Sequence, residues 1–122
     1  MAHLRTLIEE MVDIQRKMGE TAYAARKDAS QKPALIAMRR AFAKQVIAVA
    51  EAAGNDPGLR ANPTLEAEFR QRLAQMRSGI ALHQAKWPAV LLDDGNDEFR
   101  TSADAIIKTN REFAAWALSI LP

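Results

Sequence analysis

A chain of 122 residues with 17 Lys and Arg against 15 Asp and Glu, a formal charge of +2, is long enough to bury one core and too evenly charged to carry the footprint of a nucleic-acid binder. The absence of cysteine excludes disulfides, thiolate metal sites and cysteine nucleophiles, and leaves the redox compartment open. Met1-Ala2-His3 runs straight into an amphipathic pattern carrying Glu9, Glu10 and Asp13, which predicts neither a leader nor a membrane span and gives the cytoplasm as the expected location.

The first predicted element is a helix over 3–29. Leu4, Leu7, Met11, Ile14, Met18, Thr21 and Ala25 form its apolar stripe, widened by Ile8, Val12 and Ala22, and Arg26 and Lys27 complement the exposed carbonyls of its last turns. Pro33 disfavours helical geometry in the residue before it yet suits a first turn, so it marks a restart. A second helix over 33–53 uses Leu35, Met38, Phe42, Val46 and Val49, and Ile36, Ala43, Ile47 and Ala50 broaden its apolar arc. Gly54 is expected to end it in a left-handed conformation, and a loop through Asn55-Asp56-Pro57-Gly58 is expected to continue to Asn62.

Asn62-Pro63 reads as a side-chain cap followed by proline in the first turn of a third helix over 63–87. Phe69, Leu73, Met76, Ile80, His83 and Trp87 keep its inward rhythm, while Glu66 with Arg70 and Glu68 with Arg72 mark its wet face. Pro88 stops it, Ala89 to Leu92 fold over the bundle end, and Asp93-Asp94-Gly95-Asn96 form a turn. The fourth helix, over 97–121, opens on Asp97 and Glu98 and places Phe99, Ala103, Ile106, Asn110, Phe113, Ala117 and Ile120 on one seam, with Asp104 and Lys108 as an outward pair. Similar lengths, roughly 30–40 Å each at 1.5 Å per residue, predict an all-α, up-down-up-down antiparallel four-helix bundle spanning 1–122 as one domain.

The polar residues on these seams are the candidates for chemistry. His83 is expected level with Tyr23, Met38 and Ser102. Asn110 is expected level with Met18, Gln45 and Met76, with an Asn110–Gln45 hydrogen bond, so His83, Asn110 and Gln45 are the expected buried polar groups. Buried polar residues commonly fix register and helix order, because an unpaired one costs about 1–3 kcal/mol. His83-Gln84-Ala85-Lys86 resembles part of the histidine-phosphotransfer pattern, which would make His83 a phosphoacceptor and Lys86 its charge partner; the resemblance covers these residues and the bundle architecture, and departs from that pattern at Trp87.

His83 and Met38 on facing helices could also ligate a haem, although methionine on a helical stripe is more often core filling. Two histidines in total and no Glu-x-x-His leave a dimetal site without its ligands, and Asp93, Asp94, Asp97 and Glu98 lack EF-hand spacing, so no metal and no cofactor is expected. No nucleophile triad, glycine-rich phosphate cradle or inward carboxylate pair is present. Arg39, Arg40 and Lys44, and Arg70, Arg72 and Arg77, gather on two segments without an aromatic-and-basic stripe. The sequence therefore reads as a small non-enzymatic interaction or regulatory module whose surplus apolar residues, Ile36, Ile47, Ile107 and Trp116, receive a protein partner or a second copy of the chain.

Overall fold

The computed structural model describes residues 3–92 and 97–121. Leu4–Lys27 (α1), Lys32–Gly54 (α2), Pro63–Lys86 (α4) and Asp97–Ile120 (α5) are the long helices, and a single helical turn, Pro57–Arg60 (α3), stands between α2 and α4. The described residues thus form an all-α domain of five helices packed into a compact bundle, the four long ones lying where the periodicity predicts and the short α3 added between two of them. No helix among the described residues is long and apolar enough to cross a membrane.

The added turn has a local cause. The Asp56 carboxylate accepts a hydrogen bond from the Leu59 amide at 3.0 Å, and Pro57 and Gly58 follow in the first turn. This winds the expected loop into a turn that drives Leu59 into the core, where 1% of it stays exposed. Gly54 is correspondingly the last residue of α2, and no described residue has a positive φ, so the expected left-handed stop is replaced by this capped turn. The capping expected at Asn62 is present: its Oδ1 accepts from Leu65 N at 3.2 Å.

Two apolar clusters make the core. The larger one joins Leu4, Ile8 and Met11 of α1 to Phe42, Val46 and Val49 of α2, to Phe69, Leu73, Met76 and Ile80 of α4, and to Phe113, Ala114 and Ala117 of α5. The smaller one gathers Ala25, Leu35, Ala89, Leu92 and Phe99 at the opposite end, so Ala89 and Leu92 close over the bundle as predicted while Val90 and Leu91 between them stand 61% and 73% exposed. On α1 the buried line runs through Ile8 and Gln15, with Leu7 and Ile14 beside it.

Polar contacts fix how neighbouring helices meet. Arg5 donates to the carbonyls of Leu118 and Leu121 at 2.9 and 3.0 Å, bringing a cation from the start of α1 to the end of α5, where unpaired carbonyls collect. Gln45 of α2 donates to Leu7 O of α1 at 2.9 Å and to Glu10 at 3.2 Å. The Glu66–Arg70 and Glu68–Arg72 pairs form at 2.7 Å each. Lys108, expected to meet Asp104, lies instead 4.0 Å from Glu112. α1 lies against α2 along most of its length, and α5 packs against both α1 and α4. α2 and α4 touch more sparingly.

Leu59 anchors the α2–α4 connection, so Leu59→Ala is expected to cost about 2–5 kcal/mol in urea unfolding, as for other buried leucines. A loss below about 0.5 kcal/mol would mean that the turn merely lies on the surface.

Candidate functional site

His83 falls on α4 three residues after the buried Ile80, so helical periodicity turns it toward α5. It is half-buried, and its Nδ1 lies 2.7 Å from Ser102 Oγ, the one expected neighbour with which it forms a hydrogen bond. Tyr23 stands 59% exposed with the Lys27 ammonium over its ring, so it belongs to the surface and not to the histidine layer.

Around the imidazole the side chains form an aromatic stack. Phe99 lies 5.5 Å from His83 and 5.7 Å from Trp87 between ring centres, and the Arg26 guanidinium sits 5.3 Å above Phe99. Burial pushes the His83 pKa down to about 4, with the positive charge of Arg39 acting in the same direction, so the ring is neutral at pH 7. Lys86, the charge partner in the phosphotransfer resemblance, has its Nζ over the Trp87 ring at 5.5 Å. Met38 is half-buried on α2.

Beside His83 lies a cavity of about 50 Å³ between α1, α2, α4 and α5. Leu35, Ile80, Phe99 and Ile106 give it apolar walls, and Gln15, Arg39, His83 and Gln84 are its polar members. Gln15 was not legible as a core residue. It is 6% exposed and directs Nε2 toward Ile107 O at 3.4 Å. The available signal was the small pair Gly19 and Ala22 on the same stripe of α1, which opens room for a polar side chain one turn earlier.

Asn110 is 1% exposed and fully inside the core, but the expected bond to Gln45 does not form. Gln45 is half-buried and spends its amide on Leu7 O and Glu10, across the α1–α2 contact. Both polar atoms of the Asn110 side chain, and Trp87 Nε1, are buried without a hydrogen-bond partner among the described residues.

Of the four apolar surface candidates, Ile107 lines the cavity, and Trp116 packs 6.1 Å from Phe69 and 6.3 Å from Phe113 beneath the Arg72 guanidinium at 4.4 Å. Ile36 and Ile47 lie on α2, half-buried and 47% exposed respectively. Ile36 lines a shallow cleft between α2 and the end of α4 together with Arg39, Arg40, Ala43, Gln84 and Val90. A second cleft opens at the other end of the same pair of helices, among Ala50, Ala53, Phe69, Arg70 and Leu73.

The described residues hold no group of three His, Cys, Asp or Glu able to take a metal ion. Asp93 and Asp94 of the acidic turn lie outside the described residues, and Asp97 and Glu98 form the first turn of α5. No protein family, curated protein or solved structure matches this chain.

Two expectations follow. Asn110→Leu, which keeps the branched outline and removes two unpaired polar atoms, should raise stability by about 1–3 kcal/mol; a loss of that size would mean that the amide is hydrogen-bonded. Because the folded His83 pKa of about 4 lies below the unfolded 6.5, the unfolded chain binds more protons between those values, so stability falls as pH drops from 6.5 toward 4 and is fully present above 6.5. His83→Gln should flatten that part of a stability-against-pH curve, and an unchanged curve would contradict the neutral, partly buried ring.

Proposed function

We propose that the four long helices run up-down-up-down with α3 as an inserted turn, and that the chain is a non-enzymatic docking module which receives an acidic amphipathic helix in the groove between α2 and α4. The topology reading rests on which ends meet: Arg5 at the end of α5, His83 near the end of α4 beside Ser102 near the start of α5, and Phe69 near the start of α4 against Phe113 near the end of α5.

The observation that carries the function is the open seam itself. α2 is held chiefly by α1, and its flank toward α4 presents Ile36, Ala43, Ile47 and Ala50 at helical spacing, with clefts at both ends of the groove. From Ile36 to Gly54 this floor runs about 27 Å at 1.5 Å per residue, enough for a partner helix of about 18 residues reading i, i+3, i+4, i+7 anchors.

Charge selects the occupant. Arg40 on α2 and Arg77 on α4 flank the groove, both exposed and neither paired with a carboxylate among the described residues, while Glu66 at the far cleft is neutralised by Arg70. Arg77 stands four residues after Leu73 and seven before Gln84, which line the two clefts, so helical spacing sets it between them. A second copy docked groove to groove would oppose two basic rims, whereas an acidic helix complements this one.

A leucine-and-glutamate amphipathic peptide of about 18 residues, followed by fluorescence anisotropy, is expected to bind at low salt and to weaken as salt rises. Its lysine-for-glutamate counterpart should not bind, and Ile47→Glu should weaken the acidic peptide by about tenfold or more. Equal binding of the two peptides, or indifference to Ile47→Glu, would reject this reading.

A further inference from the structure

Arg39 is the unusual charge of this molecule. Its guanidinium is partly desolvated between α2 and α4, keeps its proton as arginine does in proteins, and has no carboxylate partner among the described residues. A cation withdrawn from water without a counter-charge is costly to hold, and a bound anion would remove that cost. Arg39 and Gln84 line the cavity on one side and the α2–α4 cleft on the other, so they stand at its mouth.

Behind them the walls are almost wholly apolar, with Leu35, Ile80, Phe99 and Ile106 around a space of about 50 Å³. That is about a third of the roughly 150 Å³ that accommodates benzene, and more than the roughly 10–15 Å³ that a single buried water needs. The room suits a short alkyl tail and no ring. His83 adds a neutral imidazole to the cavity wall, held by Ser102, so it contributes hydrogen-bonding capacity without a second charge.

We infer that this cavity is a binding site for a short aliphatic carboxylate of about four carbons, its head group paired with Arg39 and Gln84 at the mouth and its tail among Leu35, Ile80, Phe99 and Ile106. Planar pairing between guanidinium and carboxylate selects the head, and the small apolar volume limits the tail. Arg39 and Gln84 also line the cleft at one end of the α2–α4 groove, so a helix docked there would compete with the carboxylate, and the test uses the chain without a peptide.

Titration of the isotope-labelled chain with sodium butyrate, read by amide and side-chain NMR shifts, tests this directly. Saturable shifts centred on Arg39, Gln84 and Phe99 with a millimolar Kd are expected. Butanol, which has the tail without the charge, should bind about tenfold or more weakly, and sodium sulfate, which has charge without a tail, should give no saturable shift at Phe99. Arg39→Gln should erase the preference for butyrate over butanol. Gly19→Ala, whose new methyl carbon would meet Ile107 Cδ1 at 3.9 Å and therefore fits, trims the cavity from the α1 side and should weaken butyrate while leaving the fold intact. Equal binding of butyrate and butanol, full competition by sulfate, or butyrate binding unchanged by both Arg39→Gln and Gly19→Ala would overturn the site.

Discussion

The constraint on which the rest depends is that α2 is bound to α1 and only lightly to α4. A helix with an apolar arc as wide as that of α2 has more surface to bury than one neighbour can cover. Leu35, Phe42, Val46 and Val49 go into the core, and Gln45 ties the other side to α1 through Leu7 O and Glu10. The remaining flank, from Ile36 to Ala50, faces a partner helix that does not close over it. The groove and the mouth of the cavity beside Arg39 both follow from this one asymmetry.

α4 and α5 are joined in a different way. Their contact is aromatic at both ends, with Phe69, Phe113 and Trp116 at one and His83, Trp87 and Phe99 at the other. Rings in tilted and edge-on arrangements lock two helices at a fixed spacing, because their favourable geometries are few. Trp116 is consumed by this contact, which is why an aromatic residue beside the seam of α5 serves packing while the plainer Ile47 remains 47% exposed and Ile36 half-buried. The histidine belongs to the same ladder: it is a neutral ring among aromatics that closes one end of the α4–α5 contact through Ser102.

Much of this architecture was legible in the residues themselves. Proline and asparagine at 62–63, the four-three rhythm of Phe69, Leu73, Met76 and Ile80, and the Glu–Arg pairs on the outer face specify α4 locally, and local signals survive folding. The pairing of His83 with Ser102 followed from counting heights along antiparallel rods. The failures have a common cause. Asn110 with Gln45 was a prediction of azimuth as well as height, and Gln45 turns about its helix to face α1. α3 was missed because Asp56-Pro57-Gly58 is turn chemistry in sequence, and only the burial of Leu59 makes that turn helical. On α1 the expected stripe keeps Leu4, Met11 and Ala25 in the core, but the face is turned toward Ile8 and Gln15 and away from Leu7 and Ile14, and that turn about the helix axis brings Gln15 inside. Arg39 carried no sequence signal, since an unpaired cation is recognisable only once its neighbours are known.

The central claim is that the flank of α2 toward α4 is open along its length, and the absence of cysteine from the chain allows a clean test. Single thiols introduced by Ala43→Cys, Ile47→Cys and Val49→Cys can be timed in their reaction with an aromatic disulfide reagent in the folded protein. The account requires the thiols from Ala43→Cys and Ile47→Cys to react at rates close to those in denaturant, and the thiol from Val49→Cys to be protected by orders of magnitude. Protection of the first two comparable to the third would mean that α4 closes over α2, and would remove the groove from the structure.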